Sequence, residues 1–239
     1  MNHLKMIQQF LKERRDFEDL PEFGYPFVTI SRQAGAGGHL LAYVILTEFL
    51  KKKECNSLFE GWHVFDKELT EVVAKDPLLR TDIEGLVAQK QRTQFNDFVE
   101  SLYTGRSEQY ELQRTTFKVV RMLALIGKVI LVGRAGSLVT ADLPQGIHLR
   151  LVAPEAHRIV WMMKRFKMNK EDAQELVKRQ DSDRRKLIKL FFNRDIESPL
   201  LYDMVWNTGR VGLDVISAAT IELIRQRSSP KVAPSALGS

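Results

Sequence analysis

Apolar residues in this 239-residue chain form two kinds of run. Short apolar blocks at 27–30, 62–65, 129–132, 147–152 and 203–206, the first running into a glycine-rich loop and the others closed by Asp66, Gly133, Ala153-Pro154 and Asn207, predict five strands. Between them, apolar positions recur every three or four residues. Leu41, Val44, Ile45 and Phe49 mark a helix over 38–53. Similar spacing predicts helices over 155–166, 170–192 and 214–227, and a charge-rich helical stretch over 67–124 with breaks near Asp76-Pro77 and at 103–106. Asn169, with Asp172 three residues on, reads as the N-cap of the helix over 170–192. Residues 1–22 carry an amphipathic helix (Leu4, Ile7, Phe10, Leu11), ended by Pro21, Gly24 and Pro26 and expected to pack on the main domain as an appendage. Strands alternating with helices imply a parallel sheet covered on both faces, an α/β domain over 23–227. The Ser/Pro/Ala-rich residues 228–239 read as a disordered tail. No internal repeat is visible.

Composition narrows the setting. With 44% apolar residues the chain can bury one sizeable core. A single cysteine, Cys55, and no cleavable apolar leader point to a reducing, cytoplasmic location. The most hydrophobic region, 119–132, is interrupted by Arg121 and Lys128, so no membrane insertion is expected. A formal charge of +6 suits a protein that handles anions. Much of the basic charge lies over 158–194, interleaved with acids such as Glu171, Asp172 and Asp183. That pattern favours a helical region closing over a site and argues against a nucleic-acid surface. Phosphate-backbone binding would reveal itself by a steep loss of affinity with salt.

The candidate chemistry begins at the first strand, which runs into Ser31-Arg-Gln-Ala-Gly-Ala-Gly-Gly-His-Leu40 and then a helix. Gly35, Gly37 and Gly38 allow a tight turn whose amides, with the helix N-terminus behind them, can cradle phosphate oxygens. The same glycines could instead serve only as a tight strand-to-helix connection. A standard Gly-x-x-x-x-Gly-Lys-[Ser/Thr] loop places a lysine on the phosphates and a hydroxyl on Mg²⁺. Here Gly38 and His39 take those two positions, so anion binding is predicted more firmly than catalysis.

Five pieces in order resemble the cytidylate-kinase-like family of P-loop nucleoside monophosphate kinases: 29–38 (Thr-Ile-Ser-Arg-Gln-Ala-Gly-Ala-Gly-Gly), Phe65-Asp-Lys-Glu68, Val132-Gly-Arg-Ala-Gly136, Asp181-Ser-Asp-Arg184, and 202–214. The resemblance spans about 27–225. It implies a P-loop NTPase fold, a five-stranded parallel sheet of order 2-3-1-4-5 flanked by helices, with a helical NMP-binding insertion at about 67–125 and a lid at about 180–197. It further implies phosphoryl transfer from ATP, with Mg²⁺, to a nucleoside monophosphate, cytidylate first among the acceptors. The phosphate-binding set would be Ser31, Arg32, Gly35, Ala36, Gly37, Gly38, His39 and Leu40, with Arg32 supplying the charge that Gly38 lacks. The family branch usually has arginine where this chain has His39, and a neutral imidazole replaces a permanent cation poorly.

Arg134, after the third strand, matches the family's Gly-Arg pair and suits bidentate phosphate binding, or it is a surface arginine at a strand end. Asp66 either contacts the acceptor or a metal-bound water, or caps the following helix. Arg158 either binds substrate or holds a helix or loop; Arg165 is a weaker candidate of the same kind. In the lid, Arg184 is the leading catalytic candidate, because charge spread over the transferring phosphoryl group calls for a positioned cation. Arg179 and Asp183, four apart, are expected to hold each other on one helical face, the alternative being a solvated charged helix. Asn207 and Thr208 stand where this architecture holds adenine, or form an ordinary strand-ending turn. His63, His148 and His157 share no metal-ligand spacing with one another or with Cys55, so no protein-held metal is expected. A second function class fits the altered loop: a catalytically weak or inactive protein that binds a nucleotide or phosphorylated ligand and acts through a partner.

Overall fold

A computed structural model describes residues 3–15, 25–52, 57–87 and 108–228. Five strands, β1 (Phe27–Arg32), β2 (His63–Phe65), β3 (Val129–Val132), β4 (Gly146–Val152) and β5 (Met204–Asn207), form one parallel sheet of order β2-β3-β1-β4-β5. This is the order the resemblance implies. The strand ends differ from the expected ones by one or two residues, and β1 extends to Arg32 because Ser31 and Arg32 continue the pairing with Arg150 and Leu151.

The two faces of the sheet are built from opposite members of each alternation. Val28, Ile30, Ile147, Leu149 and Leu151 pack on one side with α2 (Gly38–Lys52) and the last helix, Leu213–Ser228. On the other side lie α1 (His3–Arg15), α3 (Lys67–Lys75), α4 (Pro77–Gly85), α5 (Glu108–Ile126) and the short α6 (Gly136–Val139). Phe10 of α1 is fully buried, edge-on to His63 and Phe65 at 5.4 and 5.1 Å. The N-terminal helix is therefore part of the core. Its described portion is shorter than the expected 1–22, of which 16–22 lie outside the described residues. The same holds for 88–107 of the insertion, for Cys55 and for 229–239 of the tail.

Two charges that interrupt the apolar run 119–132 are buried and tied. Arg121 forks onto both Asp142 carboxylate oxygens at 2.6 Å, and Lys128 donates to the Ser57 carbonyl at 2.9 Å. Among the described residues no helix is long and apolar enough to cross a membrane.

Helices α7 (Glu155–Phe166) and α8 (Lys170–Phe192) follow β4 and lie over the loop, where Ala34 packs with Ile159, Met162, Ala173 and Val177. Asn169 caps α8, its side chain accepting from the Asp172 amide at 2.8 Å. Residues 180–192 of the expected lid are the C-terminal half of α8 and continue the helix that starts at Lys170. The last helix, Leu213–Ser228, is α9.

Under α8 the sheet face is polar. Register places Thr29 beside His148 and Ser31 beside Arg150, and Thr29 Oγ1 lies 2.8 Å from His148 Nδ1. Burial pushes His148 down to about 4, only partly countered by Asp203. An unfolded histidine titrates near 6.5. Between those values the unfolded chain binds the extra proton, so the stability present above pH 6.5 falls as pH drops towards 4, by about 3 kcal/mol in total. Melting temperatures measured from pH 7.5 to 4 should fall less steeply in His148→Gln than in the parent; parallel profiles would remove His148 as a source of the acid sensitivity.

Candidate functional site

The loop between β1 and α2 owes its shape to its glycines. Gly35 and Gly37 have φ of +78° and +85°, and a Cβ on Gly35 would lie 2.6 Å from the Arg158 carbonyl oxygen. Only glycine suits such a position without strain. Beside Gly37 the space is open, with Leu213 no nearer than 3.7 Å. The Arg32 stem runs past Gly38, and a Cβ there would be 3.0 Å from Arg32 Cγ.

The loop forms one wall of a cleft of about 680 Å³ at the C-terminal edge of the sheet. Gly35, Gly37, Gly38 and His39 line it from the loop, Asp66 from the end of β2, Arg134 from the end of β3, and Asp183 and Arg184 from α8. Trp161, Met162, Arg165 and Phe166 of α7 supply a partly apolar wall on which a planar group could rest. This is the strand end at which parallel sheets bind ligands.

Arg32, Arg134 and Arg184 converge on the cleft. Burial, then the charges of Arg184 and Arg134, push Arg32 down to about 9, and no ion pair relieves it among the described residues. A guanidinium that remains protonated at neutral pH under such pressure is a strong place for an anion. Arg134 sits in a run of three residues, Gly133 to Ala135, with φ of +87°, +53° and +53°. Left-handed backbone at Arg134 and Ala135 is costly and persists only where surroundings enforce it. Arg134 is paired with Glu71 of α3 and reaches Gln113 of α5 at 3.4 Å. Burial lowers its pKa, opposed by Glu71.

Asp66 caps α3: Oδ1 accepts from the Glu68 and Leu69 amides at 3.0 Å, while Oδ2 faces His39 Nε2 at 3.7 Å. One oxygen is structural and the other looks onto the cleft. Burial and Arg32 depress the His39 pKa, so the imidazole is neutral at pH 7.

Asp181 holds the site together. Its Oδ1 accepts from the Ala34 amide at 2.7 Å and from Arg184 Nη1 at 3.0 Å, and its Oδ2 accepts from Arg158 Nη1 at 2.7 Å. Arg158, buried, also donates to the Ala34 and Ala153 carbonyls at 3.1 and 3.0 Å. Arg158 is thus a brace between β4, loop and α8, placed behind the loop and not on the cleft.

Other expected site residues lie elsewhere. Arg179 is exposed, and no ion pair joins it to Asp183, because Asp183 turns to the cleft. Leu40 is exposed and Ala36 is buried against the sheet. Ser31 points to the polar face under α8, accepting from Arg150 Nη1 at 3.0 Å. Thr208 Oγ1 donates to the Ala36 carbonyl at 3.2 Å and Asn207 Oδ1 accepts from the Gly209 amide at 3.0 Å, so both form the turn that braces the loop. Arg165, the weaker arginine candidate, does line the cleft, whereas Glu71, Arg150 and the Trp161, Met162 and Phe166 part of the α7 wall were not anticipated. Glu71 left no local sign, whereas Arg150 did, as a charge alternating with Leu149 and Leu151 within a strand.

Among the described residues no group of three or more His, Cys, Asp or Glu could hold a metal ion. Cleft carboxylates Asp66 and Asp183 nevertheless suit a Mg²⁺ carried mainly by a nucleotide's phosphates, since Mg²⁺ takes one or two protein carboxylates in such sites.

A model of the cytidylate kinase-like family matches residues 27–210. No curated protein matches the chain. Among solved structures, an uncharacterized protein from Eubacterium ventriosum is 21% identical with a TM-score of 0.62, the match covering 84% of this chain and 98% of that one. Shikimate kinase from Acinetobacter baumannii, in complex with shikimate, is 14% identical with a TM-score of 0.42, over 91% of this chain and 99% of its own.

Proposed function

The chain belongs to the cytidylate kinase-like family, and on that premise we propose that it transfers a phosphoryl group from ATP to a nucleoside monophosphate, with cytidylate the first acceptor to test. The observation that carries this is the convergence of Arg32, Arg134 and Arg184 on a cleft walled by the glycine loop. Phosphoryl transfer needs little covalent help from a protein; it needs phosphates positioned and spreading charge neutralised. The loop amides and the N-terminus of α2 hold the triphosphate, and Arg32 takes the place of the missing lysine. Arg134, fixed by Glu71, meets the acceptor phosphate, and Arg184 reaches the transferring group. Asp66 and Asp183 would supply the protein-side oxygens for a Mg²⁺ that would screen the nucleotide phosphates. The protein would work away from membranes, on nucleotide small molecules, in the cytoplasm.

ATP should raise the melting temperature, by an amount equivalent to about 2.7 kcal/mol at a hundred times its Kd. Gly37→Val puts a branched side chain into the phosphate cradle at a site of positive φ and should abolish that rise. An undiminished rise in Gly37→Val would place the nucleotide elsewhere.

One observation favours the second function class, a binder without turnover. The Ala34 amide, part of the loop, is already taken by the Asp181 carboxylate. ATP stabilisation with no transfer to CMP, dCMP, UMP or AMP would select that alternative.

A further inference from the structure

Among the phenylalanine, tyrosine and tryptophan side chains of the described residues, only Tyr43 and Phe166 are exposed, at 53% and 52%, and both line the cleft. An aromatic ring left to water forgoes a large burial, so two such rings on one cleft point to a ligand that covers them. Phe166 ends α7, and Trp161, five residues earlier, lines the same wall. Trp161 is half-buried and seated by packing against the cluster of Ala34, Ile159, Met162, Ala173 and Val177. Tyr43 belongs to α2, four residues beyond His39 and so on the side of the loop that faces Asp66.

Sheet order decides which end of the cleft the α7 wall serves. The glycine loop follows β1; Arg134 and Asp66 follow β3 and β2 on one side of it, and α7 follows β4 on the other. With an acceptor phosphate at Arg134, a triphosphate lying on the loop sends its nucleoside towards β4, where the cleft offers Trp161 and Phe166. Asn207 and Thr208, beyond β5, are engaged in the turn that braces the loop.

Reading adenine by its edge requires an acceptor for the exocyclic amine. Arg165, the one charged side chain that α7 brings to the cleft, has donors alone. The two cleft glutamines have their oxygens in use: Gln33 Oε1 accepts from the Ala153 amide at 3.0 Å and Gln180 Oε1 from Arg184 Nη2 at 3.1 Å. An aromatic wall without a matching acceptor holds a base by its face, and stacking tolerates a change of base because every base has one. On the phosphoryl-transfer reading, from which this follows, we infer that Trp161 and Phe166 form a stacking platform for the base of the donor, which is a purine nucleoside triphosphate, adenine and guanine alike.

Thermal-shift titrations of the full chain with ATP, GTP and inorganic tripolyphosphate, at constant Mg²⁺, test the platform; tripolyphosphate has the phosphates and no base. In the parent, ATP and GTP should bind with Kd values within about fivefold of each other. Phe166→Ala, a change at an exposed position, should weaken both by roughly tenfold and leave tripolyphosphate binding unchanged. Trp161→Leu, which keeps an apolar side chain against the Ala34 cluster, should weaken both at least as much, and Trp161→Phe should retain most of the affinity. Three results would overturn the platform: unchanged ATP affinity in both Phe166→Ala and Trp161→Leu, an equal loss for tripolyphosphate and nucleotides, or ATP bound a hundredfold tighter than GTP, the mark of edge reading. In each of these the parent still binds ATP and the phosphoryl-transfer reading stands. An absent ATP response in the parent removes that reading, and the platform with it.

Discussion

Arg184→Ala is expected to lower kcat for phosphoryl transfer by roughly a hundredfold or more, while ATP affinity changes by less than about tenfold. Arg184 lies midway along α8, where Asp181 and Gln180 accept from its two terminal nitrogens at 3.0 and 3.1 Å and hold the guanidinium at the cleft. A group so placed acts on the charge that spreads over the phosphoryl oxygens during transfer, which the ground state does not carry. Arg184→Lys should recover only part of the rate, since an ammonium has no planar fork. The measurement is ADP release with CMP, dCMP, UMP and AMP as acceptors, alongside ATP affinity from thermal shift. Equal turnover in Arg184→Ala and the parent would exclude Arg184 from the chemistry. A loss wholly in ATP affinity would reassign it to ground-state binding.

Asp181→Ala should produce the largest loss of stability, about 3 kcal/mol, which for a chain of this length is roughly 6–12 °C in melting temperature. The carboxylate is 12% exposed and its partner Arg158 is 8% exposed. Removing it strands a buried guanidinium, frees the Ala34 amide and releases Arg184 together. Asp181→Asn should fall between the two, because an amide oxygen can replace one acceptor but not the charge. A melting temperature in Asp181→Ala within about 2 °C of the parent would show that α8 is held to the loop by packing alone. The double variant Arg158→Met, Asp181→Ala sharpens the test: removing both charges should recover part of the loss, since the cost of the single change is mainly the unpaired partner.

These two residues mark the boundary of what could be read in advance. Asp181 and Arg184 stand in one short piece, Asp-Ser-Asp-Arg, and family resemblance drew attention to Arg184 but gave Asp181 no task. The bond that defines Asp181 crosses 147 residues to the Ala34 amide, and its bond to Arg158 crosses 23. Nothing local announces either. Arg179 shows the converse. Spacing of four brings it near Asp183 on a helix, yet Asp183 faces the cleft and the pair does not form, because tertiary surroundings outweigh a surface pair worth a few tenths of a kcal/mol.

By itself the sequence determined the five strands, most of the helices and the loop, because apolar period and glycine placement are local properties: the alternation in β4 separates Leu149 from Arg150, and the backbone at Gly35 and Gly37 needs residues without a Cβ. Together with the resemblance it also identified the sheet order and the arginines of the cleft. Tertiary structure alone decided which of those groups are spent on holding the fold and which remain for a ligand. Arg158 is consumed as a brace, Arg134 is pinned by Glu71, Asp66 gives one oxygen to a helix cap, and Arg150 acquires a relay through Ser31 and Tyr202. The physical reason is that a charged side chain is assigned by its partner, and the partners here come from elements far apart in the chain that only packing of α7 and α8 over the sheet edge brings within 3 Å or so.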